Sequence, residues 1–339
     1  MKRIVCGLMM LVGIAEIAKS GPAAAADASS SAYHVIKKLN VDGDGGWDYL
    51  TIDPVTQRLY IARSNRVMVY DVDREKLVGE VANTPGVHGV ALVAKLDRGF
   101  ASNGGDSTVT VFDLKTLAER TKIKVGTRPD AIIYDTASNQ VFTMNASGSI
   151  TAIDPEKEVV AGTIELGGKP EFAVADEKGQ IFVNLEDKSE VLAIDAHKRA
   201  VIHRWPLEPG KEPAGLAIDR AQNRLFSTCH NQKMISLDAA TGKVLGEAAI
   251  GRGTDACVFD LGGSLAFSSN GDGTLTVAHE KTDGSLEVKE NVDTQSGART
   301  MALDPRTHRI YLVTAKPKQG QRRAYEPGSF VILVVGKGE

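Results

Sequence analysis

Cysteine is almost absent, with three in 339 residues. That is too few for a disulfide framework, so a chain of this length has to be held by a buried core. Aromatic residues amount to only 5%. Beyond the N-terminal region no stretch approaches the roughly 20 apolar residues needed to cross a bilayer; the longest candidate, Phe330 to Val335, is strand-sized. Basic residues are not in excess, and the net charge of −3 argues against general nucleic-acid binding. Several chemical signatures are missing too: there is no Walker phosphate loop, no Gly-x-Ser-x-Gly elbow and no Cys-x-x-Cys-His haem site.

The N-terminal region is the exception to the scarcity of apolar runs. Lys2 and Arg3 precede an apolar stretch, Ile4 to Ile17, that leads to Ala24-Ala25-Ala26. This is the layout of a secretory signal peptide, expected over residues 1–26 with cleavage near Ala26, followed by a single domain over residues 27–339. The expected product is periplasmic or secreted. Losing Lys2, Arg3, Lys19 and Glu16 takes the net charge from −3 to −5. Cys229 and Cys257 then remain; Cys257 sits in an apolar run and reads as a core thiol, one bridge between the two being the alternative.

What the chain has in abundance is self-similarity. Aligning the residue that ends each first apolar run gives Asp53, Ala94, Asp135, Asp176, Asp219, Asp260 and Asp304, in steps of 41, 41, 41, 43, 41 and 44 residues. Within each of the seven units four short β-rich runs follow one another. Examples are "AIIYD", "QVFTMN", "SITAID" and "VAGTIEL", separated by Gly, Pro, Asn and Asp. A period near 40 with four strands per unit predicts an all-β, seven-bladed β-propeller of four-stranded antiparallel blades. The last unit stops after its third run, Ser329 to Val335. An orphan run, "HVIKKLNV" from His34 to Val41, stands before the first unit. This N-terminal strand is therefore expected to complete the last blade and close the ring, covering an edge that would otherwise pair with other chains.

The stretch "ASNGGDSTVTVFDLKTLAERTKIKVGTRPDAI", starting at Ala101, resembles the repeat of the YVTN or YncE-like β-propeller family. That resemblance covers about Ala32 to Val335. It implies the propeller fold and an exported protein, commonly a binding protein, and it assigns no activity. The second unit departs from the pattern in having Ala94 for Asp and His88-Gly89 where other units have a Pro-acid pair.

In such a ring the first strand of each blade lines the central channel, and its starting residue faces the channel mouth. Those residues are Asp48, His88, Asp130, Glu171, Ala214, Asp255 and Arg299. Four carboxylates at one mouth disfavour one another's ionisation unless they share a cation, are neutralised by Arg299, or stand apart in water. Asp48, Asp130, Glu171 and Asp255 are thus candidate ligands for a divalent metal, Ca²⁺, Mg²⁺ or Mn²⁺, or Zn²⁺ if histidine dominates. At the level of architecture only, Pro129-Asp130 and Pro170-Glu171 are similar to the channel-facing turns of gluconolactonase-type propellers, where such residues hold a divalent metal that activates water.

A column of asparagines after the second strands, Asn65, Asn103, Asn145, Asn184, Asn231 and Asn270, is expected to stabilise turns. The fifth unit adds Cys229 and His230; alternation in an extended segment sends them to opposite faces, which puts His230 alone on the rim. "DGDGGWD", Asp42 to Asp48, lacks the Gly and Glu of a calcium loop and reads as a turn between blades. The long loop Ala315 to Ser329 carries Lys316, Lys318, Arg322 and Arg323 and is a candidate basic flap over the mouth.

The leading expectation is a monomeric exported propeller that binds a small ligand, a metal ion or a protein partner through Asp48, His88, Asp130, Glu171, His230, Asp255, Arg299 and Arg322. One alternative is a metal-dependent lactonase or related hydrolase at the same site, with His88 or His230 moving a proton and Arg299 stabilising negative charge. The other is an envelope scaffold with no small-molecule site.

Overall fold

A computed structural model describes residues 1, 32–41, 43–320 and 324–338. The expected signal peptide and Arg322 with Arg323 fall outside the described residues. The seven units fold as seven four-stranded antiparallel sheets. Blade 1 is Leu50–Asp53, Arg58–Arg63, Arg66–Asp71 and Lys76–Val81; blade 2 runs from Val87–Val93 to Glu119–Lys124. Blades 3 to 6 start at Pro129–Asp135, Pro170–Ala175, Pro213–Asp219 and Thr254–Asp260. First strands pack on first strands in order around the ring, and blade 7 returns to blade 1.

Blade 7 is built from both ends of the chain. Met301–Asp304, Arg309–Thr314 and Val331–Lys337 are joined by Tyr33–Asn40, which pairs antiparallel with Val331–Lys337 from Tyr33 opposite Lys337 to Asn40 opposite Val331. The expected closure is what the structure shows. Among the described residues no helix is long and apolar enough to cross a membrane.

The few aromatics are placed with economy. The third residue of every second strand is aromatic: Tyr60, Phe100, Phe142, Phe182, Phe226, Phe267 and Tyr311, all buried between neighbouring sheets. One large ring per inter-blade gap fills space that the short aliphatic residues around it would leave empty.

The aspartate column has a local cause. Asp53, Asp135, Asp176, Asp219, Asp260 and Asp304 each accept a hydrogen bond from a backbone N–H two residues on, fixing the turn into the second strand. Blade 2, with Ala94 in that column, uses a short 3₁₀ turn, Ala94–Leu96, with Asp97 left-handed. Three of the asparagines brace their turns as expected, Asn103 donating to Thr108 and Thr110, Asn145 to Ser149 and Thr151, and Asn270 to Thr274 and Thr276, whereas Asn184 donates to the Ala214 and Gly215 carbonyls of the next blade.

Asp42 falls outside the described residues; the rest of the turn leading into blade 1 is fixed by an arginine. Arg63, fully buried, donates to the carbonyls of Gly43 (2.6 Å) and Gly45 (2.9 Å) and lies 3.6 Å over the Phe330 ring. Gly43 and Gly45 have φ of 114° and 101°, values that a side chain would strain. Cys229 and Cys257 are buried free thiols.

Candidate functional site

The first strands of blades 1 and 7 begin late, and this shapes the mouth. Before Leu50 the backbone is bound partly to blade 2: the Tyr49 N–H donates to the His88 carbonyl (3.0 Å), and the Asp48 N–H donates to Ala62 (3.1 Å). Asp48 is thereby carried sideways until it lies beside His88. Thr300 donates to the Asp48 carbonyl (2.9 Å) and Arg299 to the Trp47 carbonyl (3.2 Å), locking blade 7 to the same segment.

The mouth residues come together as pairs. His88 Nδ1 is 2.5 Å from Asp48 Oδ2 and 3.5 Å from Asp130 Oδ1. Arg299 Nε donates to Asp255 Oδ2 at 2.7 Å. Lys169 Nζ is 2.9 Å from Glu171 Oε2 and also pairs with Glu186. Each of the three cations thus neutralises a carboxylate, so the mouth carries most of its own counter-charge.

Burial and crowding shift the protons. Burial disfavours charge on His88, but the hydrogen bond to Asp48 and the charges of Asp130, Asp48 and Glu171 outweigh it and hold the imidazolium up to about 9. Asp130 is pushed up to about 6 by burial and by Asp48 and Asp255, against the pull of His88. Burial and Asp130 raise Glu171 to about 7 despite Lys169. Asp255 is raised to about 7 by burial and by Asp48 and Glu171, against Arg299. At neutral pH the ring therefore shares protons among its carboxylates.

One subset converges as donors. Single ligand atoms of Asp48, His88 and Asp130 all lie within 4.8 Å of one another. A divalent ion at about 2.0–2.4 Å from each would span that separation, taking the place of the proton that His88 now shares. Glu171 and Asp255, expected to join such a set, are engaged with Lys169 and Arg299 instead. These three donors lie beside a cleft of about 660 Å³ lined by Trp47, Asp48, Ser64, His88, Arg299 and Tyr325 among others. The Trp47 and Tyr325 rings meet at a tilt of 47°, with centroids 4.6 Å apart.

The remaining expected residues lie around or away from this centre. Ala214 is buried, and its carbonyl accepts from Asn184. His230 is on the rim as expected, 3.9 Å from Glu186 and 3.8 Å from Glu212, while the Cys229 thiol is buried and pushed up to about 12 by burial, so the two do not form a dyad. Lys169 and Glu186 escaped the sequence reading; the only signal was Lys169 standing directly before Pro170-Glu171. Tyr49 escaped it too: its ring packs edge-on against Phe172 at 4.9 Å, and burial together with the four carboxylates raises its hydroxyl well above the usual range. Below it the channel is an apolar chamber of about 390 Å³.

Similarity to known proteins follows the fold. The chain is 23% identical to YncE of Salmonella typhimurium strain LT2 over 248 residues, 68% of this chain and 69% of the relative. It is 22% identical to YncE of Salmonella typhi over 247 residues, with the same coverage. Both relatives are described only as uncharacterized. No protein-family profile matches the chain. Among solved structures, a chain of Kuenenia stuttgartiensis hydrazine synthase superposes with a TM-score of 0.71 at 16% identity, covering 80% of this chain and 94% of its own. A chain of the mitotic checkpoint complex superposes with a TM-score of 0.74 at 12% identity, covering 98% of each. These structural likenesses show the fold alone.

Proposed function

We propose that this chain, a YncE-like β-propeller, is an exported binding protein whose channel mouth seats a divalent cation on Asp48, His88 and Asp130, and through it a ligand held in the neighbouring cleft. The observation that carries the reading is the convergence of two carboxylates and one imidazole within 4.8 Å beside that cleft. Two oxygens and one nitrogen form a borderline donor set suited to Mn²⁺ or Zn²⁺ better than to Ca²⁺, and three protein donors leave positions open for a ligand. Tyr325 and the edge of Trp47 line the cleft beside it, together with Arg299, whose charge is shared with Asp255. Export rests on the Ile4 to Ile17 run and the Ala24-Ala25-Ala26 sequence.

Chelator-treated full-length chain would be titrated calorimetrically with Mn²⁺, Zn²⁺, Ca²⁺ and Mg²⁺ in buffers of different ionisation enthalpy. Binding of Mn²⁺ or Zn²⁺ with proton release, lost in His88→Asn and in Asp130→Asn, is the expected result. An absence of binding for all four ions, or binding that both variants retain, would overturn it. Turnover of simple lactones by the loaded protein would convert the reading to the metal-dependent hydrolase.

A further inference from the structure

The face opposite the mouth carries a second pocket, independent of the first, where the chain departs from its own repeat several times in one place. In blades 1, 2, 4 and 5 the first residue of the second strand stands opposite an aspartate of the third: Arg58 opposite Asp71, Arg98 opposite Asp113, Gln180 opposite Asp195 and Arg224 opposite Asp238. In blade 7 the register that places Ile310 opposite Val335 puts Gly336 in that position against Arg309, and Lys337 follows. The acid of the repeat is gone and a cation has arrived.

The neighbouring contacts change in the same direction. Arg58, Arg98 and Arg224 each donate to a backbone carbonyl in the next blade, at Leu114, Pro155 and Lys281. No ion pair among the described residues involves Arg309 or Lys337. The left-handed residue of the first turn is Gln57, Asp97, Asn139, Gly179, Asn223 or Ser264 in the other blades and His308 here. Its ring crosses to blade 6, where Nδ1 lies 2.9 and 3.0 Å from the two oxygens of buried Asp260. Gly262 makes room for it, since a Cβ there would meet the imidazole at 2.5 Å. Tyr33, from the closing strand, completes the wall, with Lys337 Nζ 5.3 Å from its ring centroid. The cavity measures about 370 Å³.

We propose that this seam pocket binds the anionic head of a small molecule, a carboxylate or a phosphate, between Arg309, Lys337 and the Asp260-oriented imidazole of His308. Asp260 is occupied on both oxygens by His308, so the two unpaired cations set the sign of the pocket within a protein whose net charge is negative. Its volume lies at the small end of the usual range for ligand sites.

Full-length chain would be titrated separately with inorganic phosphate, acetate and citrate, following the His308 ring and nearby backbone amides by NMR. Gly336→Asp, which restores the acid of the repeat, and Lys337→Gln would be run beside it, with melting curves to show that each still folds. Saturable shifts confined to this pocket, at least tenfold weaker in both variants and unchanged in Asp130→Asn, are expected; response to phosphate alone, or to the carboxylates alone, identifies the head group. An absence of saturable shifts with all three anions, or affinity unchanged in Gly336→Asp and Lys337→Gln, would overturn the proposal.

Discussion

Two histidine–aspartate pairs join neighbouring blades at opposite ends of the channel-lining strands. At the mouth, His88 of blade 2 meets Asp48 of blade 1; on the far face, His308 of blade 7 meets Asp260 of blade 6. The contact is the same and the surroundings are inverted. His88 faces a second carboxylate, Asp130, and is held as a cation, whereas His308 has Arg309 and Lys337 for neighbours. A ring that repeats one backbone pattern seven times can thus hold opposite charges at its two ends, because the side chains that set each charge come from positions where single blades leave the pattern.

Removing the closing strand should disturb both ends of the ring at once. Without residues 32–41, Val331–Lys337 becomes an exposed edge and Tyr33 leaves the far pocket, so loss of several kcal/mol of stability and self-association are expected. Size-exclusion chromatography and thermal melts check this, and a monomer with an unchanged melting temperature would contradict it. The next largest effect is expected at the mouth. Arg299→Leu leaves part-buried Asp255 without its partner, at a cost of ~1–3 kcal/mol near pH 8 after solvent screening, and adding Asp255→Asn should recover most of it. Denaturant unfolding of the two single variants and the double variant measures the coupling.

The mouth should also respond to pH. Asp255 and Glu171 have folded values near 7, above their ordinary 3.8 and 4.5, so the folded chain holds these protons more tightly and stability falls as pH rises from about 4 to 7. His88, raised from 6.5 to about 9, adds stability that is complete below pH 6.5 and lost as pH rises to 9. Both act in one direction, and the melting temperature should decline from pH 5 to pH 9. Asp255→Asn with Glu171→Gln should flatten the acidic part of that decline; an unaltered slope would show that other groups control it. The smallest change is expected from His308→Asn, which keeps the left-handed turn of Asn139 and Asn223 and removes the inter-blade pair, costing ~1 kcal/mol by denaturant unfolding.

The architecture was legible because it depends on spacing. Turn aspartates such as Asp135 and Asp219 recur at the repeat period, and the orphan strand at His34 matched the strand missing from blade 7. The column of mouth residues was legible for the same reason. Their pairing was not: the approach of Asp48 to His88 follows from Tyr49 bonding to a neighbouring blade, a through-space event that leaves no mark on the local sequence. Lys169 went unnoticed because a lysine beside Pro170 is ordinary in a surface turn. The Gly336-Lys337 departure shows only when the second and third strands are set in register, which the irregular loop before Val331 obscures in the sequence.

The pairing of Tyr33 with Lys337 also orders events in time. The strands of six blades pair within about forty residues of chain, whereas the seventh joins two segments separated by nearly the whole domain, and closing so long a loop is slow. The first strand of the ring is therefore expected to be the last to find its place. A chain emerging through a pore would therefore spend its passage as an open arc, and become a ring only when its final strand is free.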